Sequence, residues 1–504
     1  MTTLLGLLLS LNSLINFLVP AGTQLHARLT TTVGTYARKA GSPVSAVLIA
    51  PVIVNGATLL PAGSTLSGRV KSVTRVGFGI RHETAGLDLD FDQLTVPDGP
   101  SIPLPARMAE VDNSRERVTP NGHIHGVRAT SSLCYRVSGY IRMLMRLEVH
   151  AEVAEWAIKS LVGELPEPEI YYPAGVELTL TLTDPVIVSA PAGSTPATRQ
   201  LTDAERAELD GLMDGTPGQT YDPDSGRPSD LTNVLLVGSH DKIATAFDAA
   251  GWTPANPASL RRRIKWIRAA AELHGDRAGP MSSLLLGDAE PDMSWEKGLN
   301  DVSKRHHVRI WKAGVWHGRE VWVGAATRDI DFAYLRPGQT LTHKIDENID
   351  QERDKVAYDL AFTTCSDLLD WTDRPGLPRI AHNGTGDSMI TDARIAVIGL
   401  ADCASPRLST ETVDVAPIPR HGTGLQRFAR REVLSARNDL LRTNPYWRSF
   451  EAARLLVILM RRRLRPNLVH EAVLNRSQTA ALAPPLGTNL PPSSPGTIRT
   501  TAAP

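Results

Sequence analysis

The sequence predicts an α+β protein in which a small antiparallel β-barrel or sandwich precedes a mixed α/β domain. Three observations lead to this fold class. A Pro-Ala-Gly turn followed by an alternating run recurs three times, a strand–glycine–helix unit begins at Asn233, and alternating segments at 305–311 and 321–329 can pair as a hairpin. The 504 residues are enough for several domains, each with its own core.

Composition excludes several classes of protein. The 54 Lys and Arg residues balance 54 Asp and Glu residues, so the chain lacks the basic excess of a general nucleic-acid binder, and no nucleic-acid partner is expected. The three cysteines, Cys134, Cys365 and Cys403, lie far apart, which excludes a Cys-x-x-Cys motif and a disulfide-dense scaffold. The sequence leaves open whether two of the three cysteines form a disulfide.

Residues 1–18 form a Leu-rich segment that is typical of a signal-peptide core or a membrane anchor. The segment is shorter than the roughly 20 apolar residues of a membrane-spanning helix. No Lys or Arg precedes it, so a buried N-terminal helix or a misassigned start is the alternative. We expect a location in the cell envelope, periplasmic or membrane-associated, and a cytoplasmic location if residues 1–18 are not a signal segment.

The first module, residues 19–193, is organised by the repeated turn. The copies begin at Pro20, Pro61 and Pro173, and each continues with Ala-Gly and an alternating run. Proline restricts φ, glycine permits a positive φ, and the alternating run then places one side-chain face inward. The pattern therefore predicts a turn that leads into a strand, three times over.

A polar and then helical insertion, at about 107–165, interrupts this module. Its polar part contains His123 and His125, which could ligate a metal on a strand, although a solvated loop is the simpler interpretation because no third ligand is near. Apolar residues recur at helical spacing over 138–162. A short helix and a Pro- and Gly-rich linker at 194–229 lead to the second domain.

The second domain, residues 230–403, opens with an apolar strand and a helix over 239–250, for which Ser239 is the predicted N-cap. The glycine pattern of a nucleotide-binding loop is absent. A basic amphipathic helix is predicted at 260–268. It either contacts anionic lipid or a phosphate group, or is a solvated face beside a core stripe.

Polar residues that bind metals, exchange protons or hold oxyanions concentrate between 305 and 392. The candidate site residues are His306, His307, Arg328, Asp329, His343, Asp346, Asn383 and Asp387. Because side chains alternate along a strand, His306 and His307 must face opposite sides. No cofactor or metal is assigned; a metal, if one binds, would be held by His307, His343 and Asp346. The alternative is a set of strand-edge ion pairs and turn residues that satisfy backbone groups.

Several of these segments resemble the LssY-type C-terminal domain of bacteria. The resemblance covers about residues 230–400 and includes the motifs at 305–309, 322–329 and 342–346. It implies a domain of unknown function, which in relatives is attached to a membrane-embedded, phosphatase-like module. No multi-span region resembles that module in this sequence, so a lipid-phosphate activity is not carried over.

The Pro-Ala-Gly repeats are similar, more loosely, to the small β-barrel of the outer-membrane-channel component of type IV secretion systems. That resemblance implies an envelope location and an assembly surface. Residues 404–476 form a predicted helical extension, whose apolar run before Arg461 either lies on an anionic membrane or docks onto the second domain. Residues 477–504, rich in Pro, Thr and Ala, are predicted to be a disordered tail.

Together, these features predict an LssY-like protein that acts as a noncatalytic accessory or interaction protein of the bacterial cell envelope, with the membrane surface or envelope proteins as partners. The alternative is a hydrolase-like domain, or one that binds a ligand or metal, using the His/Asp/Arg cluster at 305–392. Convergence of His306 or His307 with Asp329, His343 and Asp346 in one cleft would favour the alternative.

Overall fold

The computed structural model describes residues 17–132, 165–188, 198–257, 260–275, 280–333, 342–374, 376–403 and 420–446, and a few isolated positions besides. The predictions for residues 1–16, for the helix at 138–162 and for the tail from 477 lie outside the described residues. The chain divides into one compact unit up to Ser435 and a second from Ala436. The two modules described below both belong to the first unit.

The N-terminal module is an antiparallel sheet that curls into a nearly closed barrel, as the sequence predicts. Its strands follow the order β10-β14-β2-β4-β7-β8-β12-β11, with β9 beside β8, and β8 comes back close to β10. The strands are β1 (Phe17–Val19), β2 (Gln24–Leu29), β3 (Val33–Gly34), β4 (Pro43–Leu48), β5 (Val52–Val54), β6 (Ala57–Leu60), β7 (Thr65–Thr74), β8 (Gly86–Thr95), β9 (Ser101–Pro103), β10 (Ala106–Val111), β11 (Arg117–Val118), β12 (Ile124–His125), β13 (Tyr171–Tyr172), β14 (Glu177–Leu182) and β15 (Val186–Val188).

The polar stretch that opens the predicted insertion is not a solvated loop, because it supplies β10, β11 and β12 to the barrel sheet. Met108 and Val111 of β10 are buried in the barrel core, which gives this polar stretch an inward apolar face. His123 Nδ1 lies 2.7 Å from Asp88 Oδ1, and His125 Nδ1 lies 3.0 Å from its neighbour's carbonyl at Gly126. The two imidazoles therefore have separate partners.

The second module is a mixed sheet covered by helices on both faces. Its order is β19-β22-β23-β24-β18-β29-β26, with β25 paired to β24; β18 and β29 run parallel. The strands are β16 (Gln219–Tyr221), β17 (Pro228–Leu231), β18 (Val234–Val237), β19 (Thr253–Pro254), β20 (Asn256–Pro257), β21 (Pro280–Met281), β22 (Met293–Gly298), β23 (Arg305–Trp316), β24 (Arg319–Ala333), β25 (Thr342–Ile345), β26 (Ser366–Asp373), β27 (Ile380–His382), β28 (Ser388–Ile390) and β29 (Arg394–Leu400).

The helices are α1 (Asp203–Met213), α2 (His240–Ala249), α3 (Leu260–Glu272), α4 (Ile349–Phe362) and α5 (Gly424–Thr443). Helices α2 and α4 pack on one face of the mixed sheet, through Ile243, Phe247, Val356 and Leu360. Helix α1 packs on the other face. The predicted N-cap is confirmed, because Ser239 Oγ accepts a hydrogen bond from the backbone N–H of Lys242. Within the described ranges, no helix combines the length and the apolar character needed to cross a bilayer.

A disulfide joins Cys365, at the start of β26, to Cys403, just beyond β29. The two strands are antiparallel neighbours, so the bond links two points that the sheet already holds together. This pairing is one of the alternatives that the sequence left open.

The three Pro-Ala-Gly segments that begin at Pro20, Pro61 and Pro173 are tight turns, as their sequence predicts. In each, the N–H of the fourth residue donates to the carbonyl of the proline, at 3.2–3.3 Å. The glycines have φ values of 84° at Gly22, 90° at Gly63 and 94° at Gly175. Glycine at the third position with a positive φ is typical of a type II turn.

Replacing Gly22 by alanine is expected to lower the free energy of unfolding by about 1–2 kcal/mol, because an L-residue is strained at this φ. A Cβ at Gly22 would meet nothing within 4 Å, so the effect is purely conformational. Gly211 is the matched control, since it also has open space but lies inside α1. Gly211→Ala should stabilise the protein by up to about 1 kcal/mol. Urea unfolding of both variants checks the signs, and equal effects would contradict a conformational origin.

Candidate functional site

The β23–β24 hairpin, which the sequence predicts, carries two separate groups of polar side chains. Across the hairpin, His306 lies opposite Arg328, and His307 lies opposite Thr327. Because side chains alternate along both strands, His306 and Arg328 face α4 and the barrel, while His307 faces the other side of the sheet. We call the first group the interface group and the second the buried histidine group.

His306 is the centre of the interface group and contacts both modules. Its Nε2 lies 2.7 Å from Asp112 Oδ2, next to barrel strand β10, and its Nδ1 lies 2.6 Å from Glu352 Oε2 on α4. Burial by itself lowers the pKa of His306, but the two carboxylates outweigh burial and raise the pKa to about 9. At neutral pH the ring is therefore an imidazolium that donates through both nitrogens and has no lone pair left to accept a proton.

Arg328 belongs to the same group and also crosses between the modules. Its guanidinium donates to Glu110 Oε1 and to Asp112 Oδ1, both from the barrel side. Asp112 thus accepts from His306 through one oxygen and from Arg328 through the other. These contacts hold the pKa of Asp112 far below its usual range, although burial alone would raise it.

A second set of buried charges lies beside His306, and we call it the ion cluster. Glu177 of β14 accepts from Arg28 of β2 at 2.7 Å, from Lys297 of β22 at 2.7 Å and from Lys355 of α4 at 2.5 Å. Lys297 and Lys355 also contact Asp359 of α4, at 2.8 Å and 3.0 Å. Burial opposes the charge of Glu177, but the three cations hold its pKa well below the usual value.

Direct packing accompanies these charges. The segment just after β10 contacts the end of β22: Asn113 Nδ2 donates to the carbonyl of Lys297, and Asn300 Oδ1 accepts from the N–H of Arg115. Leu299, of the second module, lies in the hydrophobic core of the barrel. The described parts of the two modules are therefore joined by both apolar and ionic contacts.

The buried histidine group lies on the opposite face of the sheet. Asp329 Oδ2 is 3.6 Å from His307 Nδ1, 3.4 Å from His343 Nδ1 and 3.0 Å from Arg305 Nε. Burial lowers the pKa of His307 to about 3, so this imidazole is neutral. Its Nε2 lies 2.5 Å from Thr327 Oγ1. Neither histidine Nδ1 has a hydrogen-bond partner among the described residues.

The structure therefore distributes the eight candidate residues over three places. His307, Asp329 and His343 share the buried histidine group, whereas His306 and Arg328 are in the interface group, and Asp346 lies on the wall of the cavity beside it. Asn383 and Asp387 close the turn between β27 and β28, where Asn383 Oδ1 accepts from the N–H of Asp387 at 2.8 Å. Convergence in one cleft, the observation that would favour the hydrolase-like or ligand-binding alternative, is partial: His307, Asp329 and His343 meet, and Asp346 lies apart from them.

His307, His343 and Asp346, the three residues that the sequence suggests as metal ligands, do not come together. His307 and His343 face Asp329, while Asp346 lies on the cavity side of the sheet. Among the residues that the structure describes, no three His, Cys, Asp or Glu side chains are arranged to hold a metal ion.

A cavity of about 410 Å³ lies between the two modules, over the interface group. Barrel side chains and α4 side chains form opposite walls. The lining includes Gln24, His26, Glu110, Asp112, Glu177, His306, Arg328, Asp346, Gln351, Glu352, Lys355 and Tyr358. Most of the lining residues are polar or charged, Ile49, Ala50, Ala109 and Leu178 add apolar surface, and most of the charges are already paired across the interface.

Sequence reasoning missed the partners of His306 and Arg328 and the residues of the ion cluster. Glu352, Lys355 and Asp359 follow the i, i+3, i+7 spacing of one helix face, which was a usable signal. Asp112 and Glu177 carry no comparable signal, because the sequence around an acidic residue at the edge of a barrel strand does not show whether it faces solvent or another module. Only the docking of the barrel gives these two residues their role.

The fold and these contacts define a two-module protein in which a barrel docks through buried charges onto a mixed-sheet domain. Residues 216–395 match the family described as LssY C-terminus, which confirms the resemblance predicted for that part of the chain. Among solved structures, the chain is similar to ComB10 of the Com type IV secretion system of Helicobacter pylori, at 12% identity and a TM-score of 0.19, over 34% of this chain and 89% of that one. A TM-score this low does not establish a shared fold. No curated protein matches.

Proposed function

We propose that this protein is a noncatalytic accessory or interaction protein of the bacterial cell envelope, in which the barrel and the LssY-like domain act as one unit. One observation carries the proposal: two of the candidate site residues of the hairpin, His306 and Arg328, pair with the other module. His306 contacts Asp112, and Arg328 contacts Glu110 and Asp112. An imidazolium held between two carboxylates cannot serve as a general base at neutral pH.

The Cys365–Cys403 disulfide supports the envelope location. Disulfides persist in oxidising compartments such as the periplasm and are rare where glutathione and thioredoxin keep thiols reduced. The Leu-rich segment at residues 1–18 points to the same compartment.

Redox trapping in living cells tests the location. Free thiols are blocked with N-ethylmaleimide, disulfides are then reduced, and the released thiols are labelled with maleimide-polyethylene glycol. The proposal expects two labels per chain, both lost in the Cys365→Ser/Cys403→Ser double variant, and recovery of the protein in the envelope fraction. A chain that gains no label and is recovered with the cytoplasm contradicts an envelope role.

Crosslinking of intact cells tests the interaction role. A tagged chain at its native level should give a crosslinked species of defined size from the envelope fraction. The variants His307→Phe and His343→Ala change the buried histidine group, away from the module interface, and should leave that species unchanged. A chain that is only monomeric in the envelope contradicts the accessory role.

The cavity favours a second candidate function, the binding of a small polar ligand. Glu352, which lines the cavity, is 3% exposed, and its Oε1 has no donor among the described residues. Arg328, also in the lining, has an Nε without an acceptor there. Because a hydroxyl group both donates and accepts, a polyhydroxylated ligand would satisfy both atoms.

Calorimetric titration with N-acetylglucosamine, as a polyhydroxylated probe, tests this candidate. Saturable binding that is lost in Glu352→Ala and kept in Asp387→Ala, which changes a turn outside the cavity, would support it. Absence of binding, or binding that survives Glu352→Ala in a folded protein, would exclude this cavity as the site for such a ligand.

A further inference from the structure

Helix α3 presents an apolar stripe to solvent. Ile264 is 60% exposed and Ile267 is 58% exposed, and the two are three residues apart on one helix face. The opposite side of the helix is held by the protein: the Trp266 ring contacts Phe332 and His343, and Ala269 is 1% exposed. The helix is therefore anchored with its two isoleucines outward.

The same helix is rich in basic residues. Five basic residues occur between 261 and 268, at Arg261, Arg262, Arg263, Lys265 and Arg268. The acidic residue of α3, Glu272, is buried and already pairs with Arg268 at 2.8 Å and with His274 at 2.9 Å. In a chain with zero net charge, this is a strong local excess.

We propose that α3 docks onto an anionic lipid bilayer, with Ile264 and Ile267 entering the interface and the exposed side chains of Lys265 and Arg268 lying at the level of the lipid phosphates. Helices that bind in the plane of a membrane combine exposed apolar residues with a basic polar face. A helix of 13 residues is about 20 Å long, so the whole element can lie flat on the headgroups.

Charge complementarity selects the bilayer as the partner. Anionic lipids attract clusters of basic residues near the membrane surface. A bilayer also offers an apolar interior to Ile264 and Ile267, whereas an acidic soluble protein would match only the positive charge. This inference deepens the envelope role and rests on it. The redox-trapping experiment tests whether the protein is in the envelope. Vesicle binding tests only whether α3 binds lipid, so the two proposals can fail separately.

Co-sedimentation of the full chain with vesicles tests the inference. We expect at least tenfold stronger binding to vesicles of phosphatidylcholine with phosphatidylglycerol than to phosphatidylcholine alone, and weaker binding at high salt because exposed charges are screened. The double variant Ile264→Ser/Ile267→Ser should bind anionic vesicles at least tenfold more weakly than the wild type. Adding Lys265→Glu to this double variant should weaken the binding further.

The matched control is Ile80→Ser/Ile187→Ser, which removes two barrel isoleucines that are 73% and 60% exposed. This variant should bind vesicles as the wild type does, and circular dichroism should show that all variants are folded. Equal binding to neutral and anionic vesicles overturns the inference. So does unchanged binding by the folded Ile264→Ser/Ile267→Ser variant, which would leave only a charge-driven contact with an acidic partner.

Discussion

Replacing Glu177 by glutamine is expected to lower the free energy of unfolding by about 3–5 kcal/mol, the usual cost of removing one partner of a buried ion pair. Glu177 is 7% exposed and accepts from Arg28, Lys297 and Lys355. In the variant, Asp359 still contacts the two lysines, but the carboxylate that they share with Arg28 is lost. Urea unfolding of the full chain, followed by tryptophan fluorescence, measures the loss.

An exposed pair provides the control for this prediction. Arg69 and Asp92 are 3.5 Å apart, but their side chains are 61% and 50% exposed. Surface pairs contribute about 0–1 kcal/mol, so Arg69→Gln should change the free energy of unfolding by less than about 1 kcal/mol. If Glu177→Gln and Arg69→Gln had equal effects, the ion cluster would not hold the modules together.

His306 is expected to make the protein less stable as the pH rises above neutral. Its pKa is about 9 in the folded protein, against an ordinary value of 6.5. A raised pKa means that the contribution of His306 is fully present below pH 6.5 and is lost as the pH rises through about 9. The shift corresponds to about 3 kcal/mol. Above that pH, a neutral imidazole no longer balances Asp112 and Glu352.

Denaturation at a series of pH values, compared between the wild type and His306→Gln, isolates this contribution. The difference in the free energy of unfolding between the two proteins should be largest below pH 6.5 and shrink toward pH 10. His240→Gln, at a ring whose side chain is 57% exposed, is the control and should follow the wild type throughout. A pH-independent difference for His306→Gln would show that the imidazole contributes only through its packing.

Local rules were enough to predict the elements that carry the site. The Pro-Ala-Gly turns, the Ser239 cap and the β23–β24 hairpin follow from turn, capping and alternation rules that act over a few residues. The same alternation places His306 and His307 on opposite faces from their sequence positions alone. Asn383 and Asp387, in contrast, are turn residues whose types suit a catalytic loop and a backbone turn equally well.

The sequence by itself thus determined the two-module α+β organisation, the LssY-like match and the two faces of the hairpin. Only the tertiary structure decided which residues the side chains on those two faces contact. Asp112 contacts His306 from 194 positions away, and Glu177 meets Lys355 across 178. No local pattern encodes such pairs, because a single carboxylate on a strand looks the same in sequence whether water or a buried cation faces it. Docking of the barrel removes the water around His306 and Arg328 and makes these two candidate residues part of an ionic contact between the modules.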